Sequence, residues 1–167
     1  RGCVPDAALC AALVSGRDLL ARLDRDDAQT QAAREMFEES EDSDFITLMR
    51  AYDFAKANHF SFDRCRSYGI NAQVARQVEQ TCQQILQVAH QQRLYDRGAA
   101  PDNTAKNDDA LLRCLMAGFA DQLAKRREPG KPECDLTEQR QGKLVRESVV
   151  QDAPFFVAAN LREAPSR

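Results

Sequence analysis

Six cysteines and two histidines are the side chains of this chain best suited to bind a metal ion or to attack a substrate. Their spacing favours neither role, because no CxxC pair occurs and neither histidine lies near two cysteines. Cys10, Cys82 and Cys114 stand among apolar helical positions, where a free cysteine packs as a small hydrophobic side chain. The sequence therefore predicts reduced, structural cysteines and no metal site.

Motifs that hold phosphate or activate a nucleophile are also missing from the sequence. It contains no GxxxxGK[ST] loop, no DEAD- or DEAH-like acidic tetrad and no GxSxG element. His59 lies beside Phe60 in a predicted turn, and His90 lies near the end of a glutamine-rich helix. Because neither histidine has a partner that could complete a catalytic pair, we predict that the chain carries no catalytic residues.

Apolar residues recur at helical spacing over most of the chain before residue 128. Asp6, Ser43 and Asn71 are candidate N-caps, because their short side chains can accept hydrogen bonds from the first free backbone N–H groups. A loop is predicted over residues 95–106, which contain Gly, Pro and Asn. The predicted helices are one ended by Gly16, a weaker one over 28–37, one begun by Ser43 and Asp44, one over 61–68 closed by Gly69, one over 72–92, and one from the cap Asn107 to Arg127.

The sequence changes character at Pro129 and Pro132, since proline cannot continue a helix. Beyond them we predict short strands, which are too few to close a barrel. These strands are residues 134–137 and 143–146, with a turn at Gly142 between them, and residues 154–161. The expected fold class is mainly α, with a helical bundle over residues 1–127, a linker over 128–132 and a short, incomplete antiparallel β segment over 133–167.

The net charge of −3 is unevenly distributed along the chain. Residues 24–44 contain nine acidic and two basic side chains, a local charge of −7, which leaves +4 for the rest. We interpret this segment as a solvated acidic connector beside a mildly basic body that could face phosphate on one side. No apolar run approaches the roughly 20 residues of a membrane helix and no secretory signal opens the chain, so a cytoplasmic location without membrane contact is expected.

Several segments resemble, in the same order, the helicase-associated ratchet domain of DEAH-box ATP-dependent RNA helicases. Residues 43–48 (SDFITL) resemble its S/G-D-h-L-T-L entry, where h is apolar, and residues 62–65 (FDRC) resemble its W-C element. Residues 114–124 (CLMAGFADQLA) resemble its last helix, A-L-x-x-G-F-x-x-Q-V-A. Residues 143–150 (KLVRESVV) and 154–162 resemble strands of the OB-fold that follows. The resemblance covers nearly the whole chain.

The chain also departs from the family's usual pattern. Arg64 stands where the W-C element has its tryptophan, and Arg146 and Glu147 replace a His-Pro pair in the OB-fold strand. These departures are more similar to bacterial HrpA/HrpB-like helicases than to spliceosomal ones.

The resemblance implies a helical ratchet bundle followed by the start of an OB-fold, without the motor of the helicase. Two RecA-like motor domains elsewhere in the same protein would bind ATP and Mg and hydrolyse the nucleotide. This region would then be a non-catalytic wall of the nucleic-acid channel, contacting the backbone of single-stranded RNA with basic and polar groups.

Three groups of basic residues are the predicted RNA contacts, and each has a simpler explanation. Cations at the end of a helix complement the helix dipole, and basic residues on a strand are often only solvated. The candidates are Lys125, Arg126 and Arg127 at the end of the last predicted helix, Arg140, Lys143 and Arg146 near the OB-like strands, and, with weaker support, Arg64 and Arg66.

An alternative function is a helical protein-interaction module that binds a basic partner through the acidic residues 24–44 and the glutamine-rich helix. It explains the acidic segment equally well, but it does not explain the change to strands after Pro132.

Overall fold

The computed structural model describes residues 3–22, 27–38, 43–94 and 108–162. Within them the chain is mainly helical, and a small antiparallel sheet follows the helices, which confirms the predicted fold class. The helices are α1 Val4–Ser15, α2 Ala28–Arg34, α3 Asp44–Ala57, α4 Phe62–Arg66, α5 Ala72–Gln91 and α6 Asp108–Gly118. The strands are β1 Leu123–Arg126, β2 Glu133–Leu136, β3 Gln141–Lys143 and β4 Phe155–Val157.

Side-chain caps fix the starts of two of the helices as predicted. The Ser43 hydroxyl accepts a hydrogen bond from the second backbone N–H of α3 at 3.2 Å. The Asn71 side chain accepts from two backbone N–H groups in the first turn of α5, each at 3.1 Å. Asp6 is not a cap: α1 begins one turn earlier, after Cys3, because Pro5 is tolerated in the first turn of a helix.

The hydrophobic core lies between α1 and α5, with α3 and α6 packed beside them. Helix α5 contributes Val74, Val78 and Cys82, which recur once per turn and are all buried. Farther along the same stripe, Ile85 and Ala89 are only half-buried, so the last turns of α5 leave the core. The first helix buries Leu9, Cys10 and Leu13 against this stripe, and burying a side chain of this size contributes about 1.5–3 kcal/mol.

Arg34 closes α2 and is buried within the segment that we interpreted as a solvated acidic connector. Its Nε donates to the Tyr68 carbonyl at 3.0 Å, and its Nη2 donates to the carbonyls of Ala21 at 2.8 Å and Gly69 at 2.9 Å. Burial lowers the pKa of this guanidinium. Because one side chain joins three backbone segments, residues 27–38 are attached to the helical core, while their acidic side chains remain exposed. Residues 24–26 and 39–42 of the acidic segment lie outside the described residues.

The last helix is shorter than predicted. Helix α6 ends at Gly118, a single 3-10 turn covers Ala120–Gln122, and residues 123–126 then form β1. The prediction of a helix up to Arg127 was therefore wrong. Strand β1 pairs with a neighbour on each side, so hydrogen bonds to two strands replace those of a helix and override local helix propensity. The predicted cap Asn107 and loop 95–106 lie outside the described residues.

The strands form one antiparallel sheet in the order β3-β2-β1-β4. The predicted strands 134–137 and 154–161 overlap β2 and β4. The predicted strand 143–146 was wrong, since it shares only Lys143 with β3: Gly142 lies inside β3, and the turn before it is Thr137–Gln139. Residues 128–132 form the turn between β1 and β2, so the predicted linker lies within the sheet. The sheet therefore takes strands from both sides of the segment that was expected to separate two domains.

Asp44 connects the helices to the sheet region. Its carboxylate accepts hydrogen bonds from the Ser148 hydroxyl and from the Val149 backbone N–H, both at 2.8 Å. The next residue, Phe45, stacks on Phe119 with ring centroids 6.5 Å apart. These contacts hold the loop between β3 and β4 against the start of α3, so the sheet is anchored to the helical core.

Candidate nucleic-acid interface

The two faces of the sheet differ in burial and in charge. Directly paired residues on neighbouring strands share a face. Ala124, Arg126 and Cys134 lie on the inner face and are buried. On the outer face the side chains are exposed or half-buried and many are charged, and its residues are Leu123, Lys125, Arg127, Glu133, Asp135, Gln141, Lys143, Phe155 and Val157.

Arg126 does not face phosphate, contrary to the prediction. Its side chain is 5% exposed, and its guanidinium lies 5.3 Å from the centre of the Phe156 ring. Nε donates to the Ala153 carbonyl at 3.0 Å, Nη1 to the Lys131 carbonyl at 2.5 Å and Nη2 to the Val150 carbonyl at 2.7 Å. With these bonds directed into its own fold, Arg126 stabilises the sheet and the loop that leads into β4.

Lys125 lies at the middle of the outer face. Its Cα is paired with Asp135 on one side and with Phe155 on the other, and Lys125 forms no ion pair with another described residue. Arg127 and Lys143 differ, because each has an acidic neighbour: Arg127 Nη2 lies 2.6 Å from Asp135, and Lys143 Nζ lies 3.6 Å from Glu133. The hydrogen bond and charge of Asp135 raise the pKa of Arg127. Lys125 is therefore the cation on this face with most freedom to bind an external anion.

Phe155 adds an aromatic surface beside this cation. Its side chain is 56% exposed, so the ring is accessible from solvent. Together, an exposed ring and an adjacent lysine can stack a nucleobase and bind its phosphate without reading its identity. The sequence prediction named basic residues alone; strand alternation, applied to residues 155–157, would have placed Phe155 and Phe156 on opposite faces.

The remaining predicted contacts lie in other elements. Arg140 is exposed and donates to the Thr137 carbonyl at 3.3 Å, and Arg146 is exposed in the loop after β3. Arg64 and Arg66 are exposed on α4, in the helical part. Arg66 lines a shallow cleft of about 320 Å³ together with Gln29, Thr30, Asp63 and Ser67. The structure thus places Lys125, Arg127 and Lys143 on one face, and the other exposed arginines elsewhere.

A second aromatic–cation pair, formed by Phe62 of α4 and Arg76 of α5, was missed by the sequence analysis. Phe62 is 62% exposed, and the Arg76 guanidinium lies 5.8 Å from its ring centre. Arg76 also donates to the Phe60 carbonyl at 3.1 Å, which fixes it beside the ring. The surface where α4 meets α5 therefore also combines an exposed ring with a cation, as the outer sheet face does.

Cysteine reactivity separates one thiol from the others. Cys114 is exposed, whereas the remaining cysteines are buried. Burial, with a contribution from Asp6, raises the pKa of Cys10 to about 12, and the thiolate is the form that reacts. At about pH 8 we expect iodoacetamide to label Cys114 in the folded protein long before Cys10. Peptide mass spectrometry would measure this order, and equal labelling of both in the native state would contradict the burial of Cys10.

The described residues show neither a metal-binding cluster nor a membrane-spanning helix. Within them, no three His, Cys, Asp or Glu side chains are grouped so that they could hold a metal ion. None of the helices in the described part of the chain has the length and apolar character needed to cross a membrane. Comparison with protein-family models and with curated proteins finds no match for this chain.

Proposed function

We propose that this chain is a non-catalytic accessory region of an ATP-dependent DEAH-box RNA helicase and that it contacts the backbone of single-stranded RNA. The outer sheet face is the observation that carries the proposal. It presents Lys125, Arg127 and Lys143 together with the exposed ring of Phe155. The segment resemblances described above supply the helicase context.

The chemistry of the outer sheet face suits an RNA strand that slides along it. An exposed ring can stack on any base, because every base has a π-face, and a lysine ammonium binds phosphate as a point charge without fixing its orientation. Glu133 and Asp135 partly neutralise the face, which keeps its attraction for RNA weak. A weak, sequence-tolerant contact allows a strand to advance while limiting its return.

The motor and its cofactors belong to the rest of the proposed protein. Two RecA-like domains of the same protein would bind ATP and Mg and pull the RNA, and this region would line the channel in the cytoplasm. In that arrangement the anchoring of the sheet to α3 by Asp44 matters, since a channel wall must resist force on the strand.

Replacing Phe155 by alanine is expected to weaken binding of single-stranded RNA about 5- to 100-fold in the complete protein that contains this chain, because one stacked base is lost. Replacing Lys125 by alanine is expected to reduce the slope of log affinity against log salt by about one. Fluorescence anisotropy with labelled oligo(U) over a series of salt concentrations would measure both effects.

Val88→Ala is the matched control, because Val88 on α5 is also 56% exposed but lies outside the sheet. It is expected to leave RNA affinity unchanged. If Phe155→Ala binds oligo(U) as tightly as Val88→Ala and the unchanged protein, and Lys125→Ala keeps the salt slope of the unchanged protein, the outer face is not an RNA surface.

The helicase context has its own test. The gene region that precedes this chain should encode a GxxxxGK[ST] loop and a DExH tetrad, which bind nucleotide and Mg in the motor. Without them the chain would belong to another kind of protein, whatever its RNA affinity.

The protein-interaction alternative stays a prediction. In the described part of the acidic segment, Arg34 and Asp44 both make their contacts within the chain.

A further inference from the structure

Two thiols from distant parts of the sequence meet at the edge of the helical core. Cys3 is the N-cap of α1, and Cys114 lies in the middle of α6. Their Sγ atoms are 3.3 Å apart, within hydrogen-bonding contact for two thiols. A disulfide needs an S–S distance of about 2.05 Å, so an approach of little more than 1 Å would join them. Cys10, by contrast, has the Met49 thioether as its sulfur neighbour, at 3.7 Å.

The two thiols differ in access to solvent. Cys114 is exposed, whereas Cys3 is buried at 7% exposure, with its Sγ also 3.9 Å from the Ala110 carbonyl. A small oxidant can therefore reach Cys114 first. The Cys3 sulfur, which is already in contact with Cys114, can then react with the oxidised Cys114. An exposed attacking thiol beside a second, resolving thiol is the arrangement found in redox-sensitive cysteine pairs.

We propose that Cys3 and Cys114 form a dithiol modification site, which low-molecular-weight disulfides such as glutathione disulfide oxidise to an intramolecular disulfide. The Cys114 thiolate attacks one sulfur of glutathione disulfide, which gives a mixed disulfide and releases one glutathione thiolate. The Cys3 thiolate then attacks the Cys114 sulfur, forms the Cys3–Cys114 bond and releases the second glutathione. The two thiol protons pass to the two glutathiones, so the protein loses two electrons and glutathione disulfide gains them.

The bond would connect the start of α1 to α6 and would enclose α1–α5 in one covalent loop. Cross-linking residues this far apart restricts the unfolded chain strongly. A hydrogen bond between Cys3 and Cys114, together with burial, raises the pKa of Cys3, so only a small fraction of Cys3 is thiolate at neutral pH and the resolving step proceeds faster as pH rises. The site would therefore stabilise the helical core when the surroundings become oxidising. This inference does not depend on RNA binding.

The test is oxidation of the 167-residue chain with excess glutathione disulfide, followed by peptide mass spectrometry and thermal unfolding. We expect a peptide that contains Cys3 joined to Cys114, a mass loss of two hydrogen atoms, and a rise in Tm of about 10 °C. Cys114→Ser should abolish the cross-link and the rise in Tm; its exposure means that the substitution should not disturb folding.

Two further variants separate the steps. Cys3→Ala should stop at a glutathione adduct on Cys114, and Cys82→Ala, which removes a cysteine outside the pair, should leave the cross-link intact. A stable glutathione adduct on Cys114 of the unchanged chain, or cross-links that join other cysteines, would overturn the proposal.

Discussion

Replacing Arg126 by methionine is expected to lower the free energy of unfolding by about 3 kcal/mol, because it removes a buried guanidinium that donates to three carbonyls at once. The carbonyls of Lys131, Val150 and Ala153 would each lose their Arg126 donor. Methionine keeps much of the side-chain volume beside Phe156, so the loss reports on hydrogen bonds more than on packing. Urea denaturation followed by circular dichroism would measure the change.

Arg127→Met is the control for this experiment. Its guanidinium pairs with Asp135 on the exposed outer face, and solvent-exposed ion pairs contribute little to stability. The two substitutions are chemically identical and one residue apart, so a difference between them isolates the buried network. Equal urea midpoints for the two variants would mean that the carbonyl contacts of Arg126 do not stabilise the fold.

Replacing Gly69 by alanine is expected to destabilise the protein by about 3 kcal/mol, from a left-handed backbone and a displaced arginine together. Gly69 has a φ of +60°, and a Cβ there would overlap the Arg34 guanidinium and touch the Thr30 methyl group. The clash would push Arg34 away from the carbonyls of Ala21 and Tyr68. The same urea experiment would measure this loss.

Gly130 provides a matched control for the backbone contribution alone. Its φ is +70°, but a Cβ there would meet nothing within 4 Å. Gly130→Ala is therefore expected to destabilise the protein by about 1 kcal/mol, the penalty of the left-handed conformation itself. If Gly69→Ala were no more destabilising than Gly130→Ala, the contact between Gly69 and Arg34 would be energetically unimportant.

Arg34 and Arg126 are both buried arginines that hydrogen-bond backbone carbonyls, a structural role that a basic residue can have in place of RNA contact. Each is 5% exposed, and each donates to three carbonyls that come from two other backbone segments. A guanidinium can do this because its five donors are held in a rigid fork, whereas a lysine ammonium is a point charge. Burial thus removes Arg126 from the predicted RNA contacts and leaves its neighbours Lys125 and Arg127 as candidates.

The sequence by itself determined most of the helical part. Helix starts at Ser43 and Asn71 follow from local capping, and the buried stripe Val74, Val78 and Cys82 follows from a spacing of about one turn. The positions of β2 and β4 were also readable, since prolines and short apolar runs mark them locally. These features depend on residues close together in the chain, so periodicity and caps are sufficient to find them.

Only the tertiary structure decided that residues 123–126 form a strand and which side of that strand faces solvent. Residues Leu123–Arg126 have a composition compatible with a helix, and pairing with two strands formed by later residues makes them extended. The same pairing buries Arg126, exposes Lys125 and places Phe155 beside it. Pairing with a distant strand makes successive side chains point to opposite faces of the sheet. The sequence of residues 123–126 alone does not identify the strands with which they pair.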